Sequence, residues 1–138
     1  MTRIFWDTNL FIYLFEGGRF APRVRELRER MAARGDQLFT SALTLGEVLV
    51  KPAAAGADVS RDHRLTLQHA ATIIAFDADA AVHYASIRAD RTIKPPDAIQ
   101  LACAAAANID LFITNDDRLS SKVVAGVKFV TSLDRAHL

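Results

Sequence analysis

Apolar and polar positions alternate along this chain in short blocks. Ile4-Phe5-Trp6 is a brief apolar run that predicts a buried strand, and it stops on Asp7. Residues 8–15 are apolar at nearly every position and predict a short buried helix, ended by Gly17-Gly18. Pro22 suits the first turn of the next helix, in which Val24, Leu27 and Met31 recur at helical spacing until Gly35. Residues 38–40 predict a second strand. A helix then runs from Leu43 through Leu45, Val48 and Leu49 to Lys51-Pro52. Residues 53–59 read as a loop, and Ser60 reads as the cap of a helix through Arg64, Leu67 and Ala71. Residues 72–76 predict a strand, and Asp77 caps the helix that carries Ala81, Tyr84, Ala85 and Arg88. Residues 91–95 are expected to be extended, because a residue before proline avoids the helical region. Pro96 and Asp97 start a helix through Ala107. Residues 111–114 predict a strand, 116–121 a helical turn and 127–130 a last strand.

Strands that alternate with helices predict an α/β class: a mainly parallel central sheet covered by helices on both faces, as one domain over residues 1–138. In such sheets the site lies beyond the C-terminal strand ends.

Composition narrows the function classes. Hydrophobic residues make up 51% and charged residues 24%, so the chain is globular rather than disordered. A net charge of +1 argues for neither nucleic acid nor membrane on its own. The arginines are unevenly placed, with Arg19, Arg23, Arg25, Arg28, Arg30 and Arg34 crowded into one early segment. The simplest reading is a solvated face with Arg–Glu pairs at helical spacing; an RNA-contacting edge and part of a partner groove are the alternatives. Cys103 is the only cysteine, which excludes an internal disulfide or a cysteine zinc cluster and fits a reducing cytoplasm. The four histidines (His63, His69, His83, His137) have no ligand spacing. Residues 101–107 form the longest apolar run, far short of the ~20 residues that span a bilayer. No secretory signal is read, since Asp7, Asn9 and Glu16 interrupt the N-terminal apolar stretch.

The candidate chemistry lies in four acids. Asp7, Glu47, Asp97 and Asp116 each fall where a strand or extended segment turns into a helix, or soon after. Singly, each is adequately explained as a helix cap, worth about 0.3–1 kcal/mol against the helix dipole. Thr44-Leu45-Gly46-Glu47 even fits a capping box with Glu47 as the reciprocal partner. Together they mean more, because a parallel sheet gathers its C-terminal strand ends along one edge. Converging carboxylates must take up protons or find a cation, and hard oxygen ligands suit Mg²⁺ or Mn²⁺. Two such ions can activate water and stabilise a leaving oxygen in phosphodiester cleavage. P-loop, dinucleotide, HExxH and nucleophile-elbow motifs are absent from the sequence.

The stretches that carry these acids resemble the PIN-domain family, and most closely the VapC-type ribonuclease toxins of type II toxin–antitoxin pairs. They are Phe5-Trp6-Asp7-Thr8-Asn9, residues 41–47 ending on Glu47, residues 96–102 from Pro96-Asp97, and Ile113-Thr114-Asn115-Asp116, in the family's order. The resemblance implies an α/β/α sandwich and a Mg²⁺- or Mn²⁺-dependent endoribonuclease that hydrolyses RNA with a metal-activated water. It implies Asp7, Glu47, Asp97 and Asp116 as the catalytic quartet, with Asp7, Asp97 and Asp116 as metal ligands. Asn9 and Thr114 match positions that support the metal site from beside it, and Asp117 belongs to the following turn. The sequence assigns no general base between Glu47 and Asp97. The same resemblance implies an RNA substrate, a cognate antitoxin, a homodimer and a cytoplasmic location. Lys94 and Arg118, next to the motifs, are candidates for holding substrate phosphates. The apolar helix at residues 10–15 is a candidate antitoxin contact, because Phe11 and Tyr13 cannot both face the sheet.

Two other classes compete. A response-regulator receiver domain also carries an acidic Mg²⁺ pocket, but it needs paired acids after the first strand and a late lysine, and Asp7-Thr8 supplies only one acid. A PIN scaffold used as a binding module without catalysis is the other; the unsubstituted quartet argues against it.

Overall fold

The computed structural model describes residues 2–138. Five strands form one sheet: β1 (Arg3–Trp6), β2 (Gln37–Ser41), β3 (Thr72–Ile74), β4 (Leu111–Thr114) and β5 (Phe129–Ser132). Their order is β3-β2-β1-β4-β5, and every neighbouring pair is parallel. The helices are α1 (Thr8–Glu16), α2 (Ala21–Arg34), α3 (Ala42–Val48), α4 (Val50–Ala55), α5 (Ala57–Ala70), α6 (Ala78–Ile87), α7 (Pro95–Ala106) and α8 (Asp117–Ser120).

Side chains alternate across the sheet, and the core splits accordingly. Phe5, Phe39 and Phe112 point to one face, where α6 and α7 cover them with Ala80, Ala98 and Leu101. Phe5 and Phe112 stack across neighbouring strands with ring centroids 4.9 Å apart. Ile4, Trp6 and Ile113 point to the other face, against Leu10, Phe11, Val24, Leu27 and Leu67 of α1, α2 and α5. The result is the expected α/β/α sandwich, with a sheet that is parallel throughout.

The chain winds from β1 outward to β2 and β3, then returns to place β4 on the other side of β1. The strand order therefore reverses between β1 and β4, and at such a reversal the two flanking crossovers leave a crevice beyond the strand ends. Asp7 and Asp116 sit on its two sides.

Several local expectations need correction. Pro52 does not end a helix. The chain starts a new one at Val50, and Pro52 sits in the first turn of α4, where its missing N–H costs little. Residues 53–59 are not a loop: Ala53–Ala55 continue α4, Gly56 alone breaks the chain at φ +129°, and α5 begins at Ala57 with Ser60 inside it. Glu47 is not the partner of a capping box. Ser41 caps α3, its Oγ accepting from the Thr44 N–H at 3.2 Å. The expected extended run over 91–95 is not there: residues 91–93 form turns, held by Asp90 Oδ1, which accepts from both the N–H and the hydroxyl of Thr92, and Pro95 already opens α7. The last strand runs from Phe129 to Ser132, two residues later than expected, because Val127 packs in the core ahead of the ladder.

The arginines of α2 do more than face solvent. Arg30 pairs with Glu26 one turn away, as expected. Arg23, however, donates to the carbonyls of Leu133 and Ala136, and Arg30 donates to that of Leu138, so α2 holds the C-terminal segment.

Candidate active site

β1 ends in Trp6, and Asp7 turns the chain into α1. Its carboxylate caps that helix, Oδ1 accepting from the Thr8 N–H at 2.8 Å. β4 ends in Thr114, whose hydroxyl joins the two walls: it donates to Asp7 Oδ2 at 2.8 Å and accepts from the Asp116 N–H at 3.0 Å. Asn9 Oδ1 accepts from the Asn115 N–H at 3.3 Å, and Asn115 Nδ2 donates to the Tyr13 hydroxyl at 2.9 Å. Thr114 and Asn9 thus hold the strand-to-helix turn that carries Asp116.

Asp7, Glu47, Asp97 and Asp116 line one cleft of about 290 Å³, with Thr8, Asn9 and Gln100. Asp97 enters it from the first turn of α7, which Pro95 and Pro96 fix at its start. Glu47 enters from the sixth position of α3 and accepts from the Thr8 hydroxyl at 2.8 Å. Asp117 lies in the first turn of α8, outside the cleft lining.

The acids differ in their environments. Asp7 is buried, and burial pushes its carboxyl above the usual range, with the charge of Asp97 adding to the rise and the Thr114, Thr8 and Gln100 hydrogen bonds opposing it. Asp97 is also raised, first by burial, then by the neighbouring charges of Asp116 and Glu47, against Arg118 and Lys94. Asp116 is lowered, because Arg118 grips both its oxygens, Nε to Oδ1 at 3.1 Å and the terminal nitrogen to Oδ2 at 2.7 Å. Lys94 and Arg118 therefore sit at the rim, within electrostatic reach of Asp97 and Asp116.

Among the described residues, no group of three or more His, Cys, Asp or Glu side chains stands in a geometry that holds a metal ion. The chemistry of the donor set nonetheless fits a hard divalent cation. The polar groups lining the cleft are carboxylates, a hydroxyl and the amides of Asn9 and Gln100, with no sulfur or imidazole among them. Two of the acids are raised by burial and by neighbouring carboxylates, Asp7 by Asp97 and Asp97 by Asp116 and Glu47, and a cation would relieve both.

The Gln100, Thr8, Thr44 and Ser41 cluster was not singled out from the sequence. Gln100 left one signal: it lies one turn after Asp97 and is the only amide or charged side chain in the apolar run between Asp97 and Asn108. An isolated polar residue on the buried face of a helix has to find a partner.

The PIN domain family model matches residues 4–124. No curated protein matches the chain in sequence. Similar solved structures include VapBC2 from Rickettsia felis bound to a DNA fragment from its promoter, with a TM-score of 0.74 and 16% identity over 95% of this chain and 98% of that one. A toxin–antitoxin complex from Klebsiella pneumoniae has a TM-score of 0.67 and 26% identity, over 90% and 94%. FitAcB from Neisseria gonorrhoeae has a TM-score of 0.64 and 22% identity, over 82% and 87%.

Proposed function

The chain belongs to the PIN domain family, and from that premise we propose that it is a Mg²⁺- or Mn²⁺-dependent endoribonuclease, the toxin of a toxin–antitoxin pair. The observation that carries this reading is the meeting of Asp7, Glu47, Asp97 and Asp116 in one cleft at the sheet's reversal point. Asp7, Asp97 and Asp116 would hold the metal, whose chemistry is to activate water and stabilise the leaving oxygen of a phosphodiester. The chain's own groups do the rest. Thr114 and Thr8 fix Asp7, Glu47 keeps its carboxylate toward the cleft through Thr8, and Lys94 with Arg118 steers substrate phosphates at the rim. Arg118 must release Asp116 to allow this, which an exposed side chain can do readily.

A partner groove lies beside the acids. Ile12 and Phe15 of α1, with Val48, Val50, Pro52 and Val59, line an apolar cleft of about 540 Å³ that reaches Glu47. Phe11 faces the core and Tyr13 bonds Asn115, so the outward face of α1 is the Ile12–Phe15 side. An antitoxin segment is the occupant proposed for it, since the similar structures from Rickettsia, Klebsiella and Neisseria include toxin–antitoxin complexes. A homodimer and a cytoplasmic location complete the reading. The lone buried cysteine suits a reducing compartment, and among the described residues no helix is long and apolar enough to cross a membrane.

The hold of Arg118 on Asp116 favours one second reading, a catalytically silent binding module. Cleavage of RNA by the purified chain, with and without chelator, decides between them. Metal-dependent cleavage that falls to background in Asp7→Asn supports the enzyme. Undiminished cleavage in that variant would mark a contaminant and remove the assignment.

A further inference from the structure

Gln100 is 2% exposed and stands at the centre of the polar groups behind the acids. Its Nε2 lies 2.7 Å from Thr44 Oγ1, 3.0 Å from Thr8 Oγ1 and 3.3 Å from Asp7 Oδ1. An amide has two N–H groups, so three oxygens share two donors. Its Oε1 accepts from the Ser41 hydroxyl. Ser41 and Thr44 are fully buried, and the Thr8 and Thr44 hydroxyls lie 3.1 Å apart.

With Asp7 and Glu47 ionised, the hydrogens of this cluster follow one consistent pattern. Ser41 gives its proton to Gln100 Oε1. That turns the amide so that Nε2 faces the carboxylate, since Asp7 can only accept when ionised. Thr8 gives its one proton to Glu47 Oε1 at 2.8 Å, so it must accept from Gln100 and from Thr44. Thr44 accepts from Gln100 and donates to Thr8. The donors then run from Ser41 on β2 through Gln100 on α7 to Thr44 and Thr8, and end on the carboxylates of Asp7 and Glu47. Four elements that share no backbone ladder at this level are tied by one side chain.

We propose that Gln100 is a positioning residue for the divalent-metal site: its buried amide ties Asp7 to Thr8 and Thr44, and through the Thr8 hydroxyl to Glu47, so that the two acid walls keep one spacing. This rests on the metal-dependent reading above. Gln100 touches neither substrate nor the reacting atoms. It acts by presenting Asp7 and Glu47 as acceptors in fixed places, which is what groups behind a metal's ligands do.

The test is Mn²⁺ binding to the metal-free full chain, followed by the electron paramagnetic resonance of free Mn²⁺, for wild type and Gln100→Met. Methionine keeps the length and removes the amide. Circular dichroism first establishes that the variant is folded. The expected result is Mn²⁺ affinity about 10–100-fold weaker in the folded variant. The Mn²⁺ concentration that half-activates cleavage should rise in step, with a far smaller fall in kcat at saturating Mn²⁺. Thr44→Val removes the hydroxyl that takes the shortest bond from Gln100 Nε2 and serves if Gln100→Met fails to fold; it should weaken Mn²⁺ in the same direction. Unchanged Mn²⁺ affinity in folded variants, beside normal binding by wild type, would overturn the role of Gln100 alone. No Mn²⁺ binding by wild type would overturn the metal-site reading with it.

Discussion

Asp97 faces two like-charged neighbours in the cleft, Asp116 and Glu47. Its carboxyl is raised by burial and by Asp116 and Glu47, with Arg118 and Lys94 only partly offsetting them. A carboxyl whose folded pKa lies above its unfolded value opposes folding when charged. That cost is absent below the unfolded pKa, near 3.8, and grows as pH rises through the raised value. Asp97→Asn should therefore raise the melting temperature of the chelated protein by a few degrees at pH 7 while abolishing cleavage. The gap from wild type should close as the pH falls toward 4. A variant that melts lower at pH 7, with an unaltered pH dependence, would show that Asp97 is stabilised where it stands. At this scale the sequence was most informative. An acid that ends an apolar strand has few places to go, so Asp7 and Asp116 could be placed from their neighbours alone. Gln100 could not, since its partners Ser41, Thr44 and Thr8 come from other elements and only folding brings them to it.

Elements were legible in kind and less so in extent. All five strands lie near the expected residues, because each is an apolar run closed by a polar or turn residue. The misreadings share a cause. Ala53–Ala55 looked like linker beside Gly56, yet alanine is the best helix former and the helix continues through it. Val127 looked like strand because it is β-branched and apolar, but burial against α7 explains it as well as a ladder does. The turn before β5 depends on a contact that no local pattern reveals. Gly126 has φ +92°, and a Cβ there would stand 2.9 Å from Cβ of Ala105 on α7. Gly126→Ala should cost about 2 kcal/mol or more through strain and overpacking. Urea denaturation would read this as a lower midpoint with unchanged slope, whereas an unchanged midpoint would mean that the loop yields freely.

The whole molecule places its chemistry by topology. Reversal of strand order between β1 and β4 opens the crevice, and the apolar groove under α1 meets it at Glu47. On the proposed reading, a partner segment bound in this groove would control cleavage at the acids beside it. Val50, which is 69% exposed on the groove wall, should be sensitive to charge. Val50→Asp is expected to lose co-purification with the co-expressed antitoxin while RNA cleavage persists; retained co-purification would put the partner elsewhere. RNA binding itself should be electrostatic. In an Asp7→Asn background, Lys94→Ala and Arg118→Ala should each reduce the slope of log affinity against log salt by about 0.7, as one lost phosphate contact to a single strand does. Slopes equal to the parent's would return both side chains to ordinary surface charge. The sequence supplied the strands, their parallel sheet and the acids, but neither the strand order nor the groove, whose walls come from α1, α3, α4 and α5 and carry no shared motif. Diffraction from crystals soaked in Mn²⁺ tests most directly whether the proposed acids form a divalent-metal site. An anomalous manganese peak is expected in contact with the carboxylates of Asp7, Asp97 and Asp116, with Arg118 turned away from Asp116. A manganese peak bound elsewhere, with those three acids unliganded and Arg118 still on Asp116, would contradict the metal-site reading.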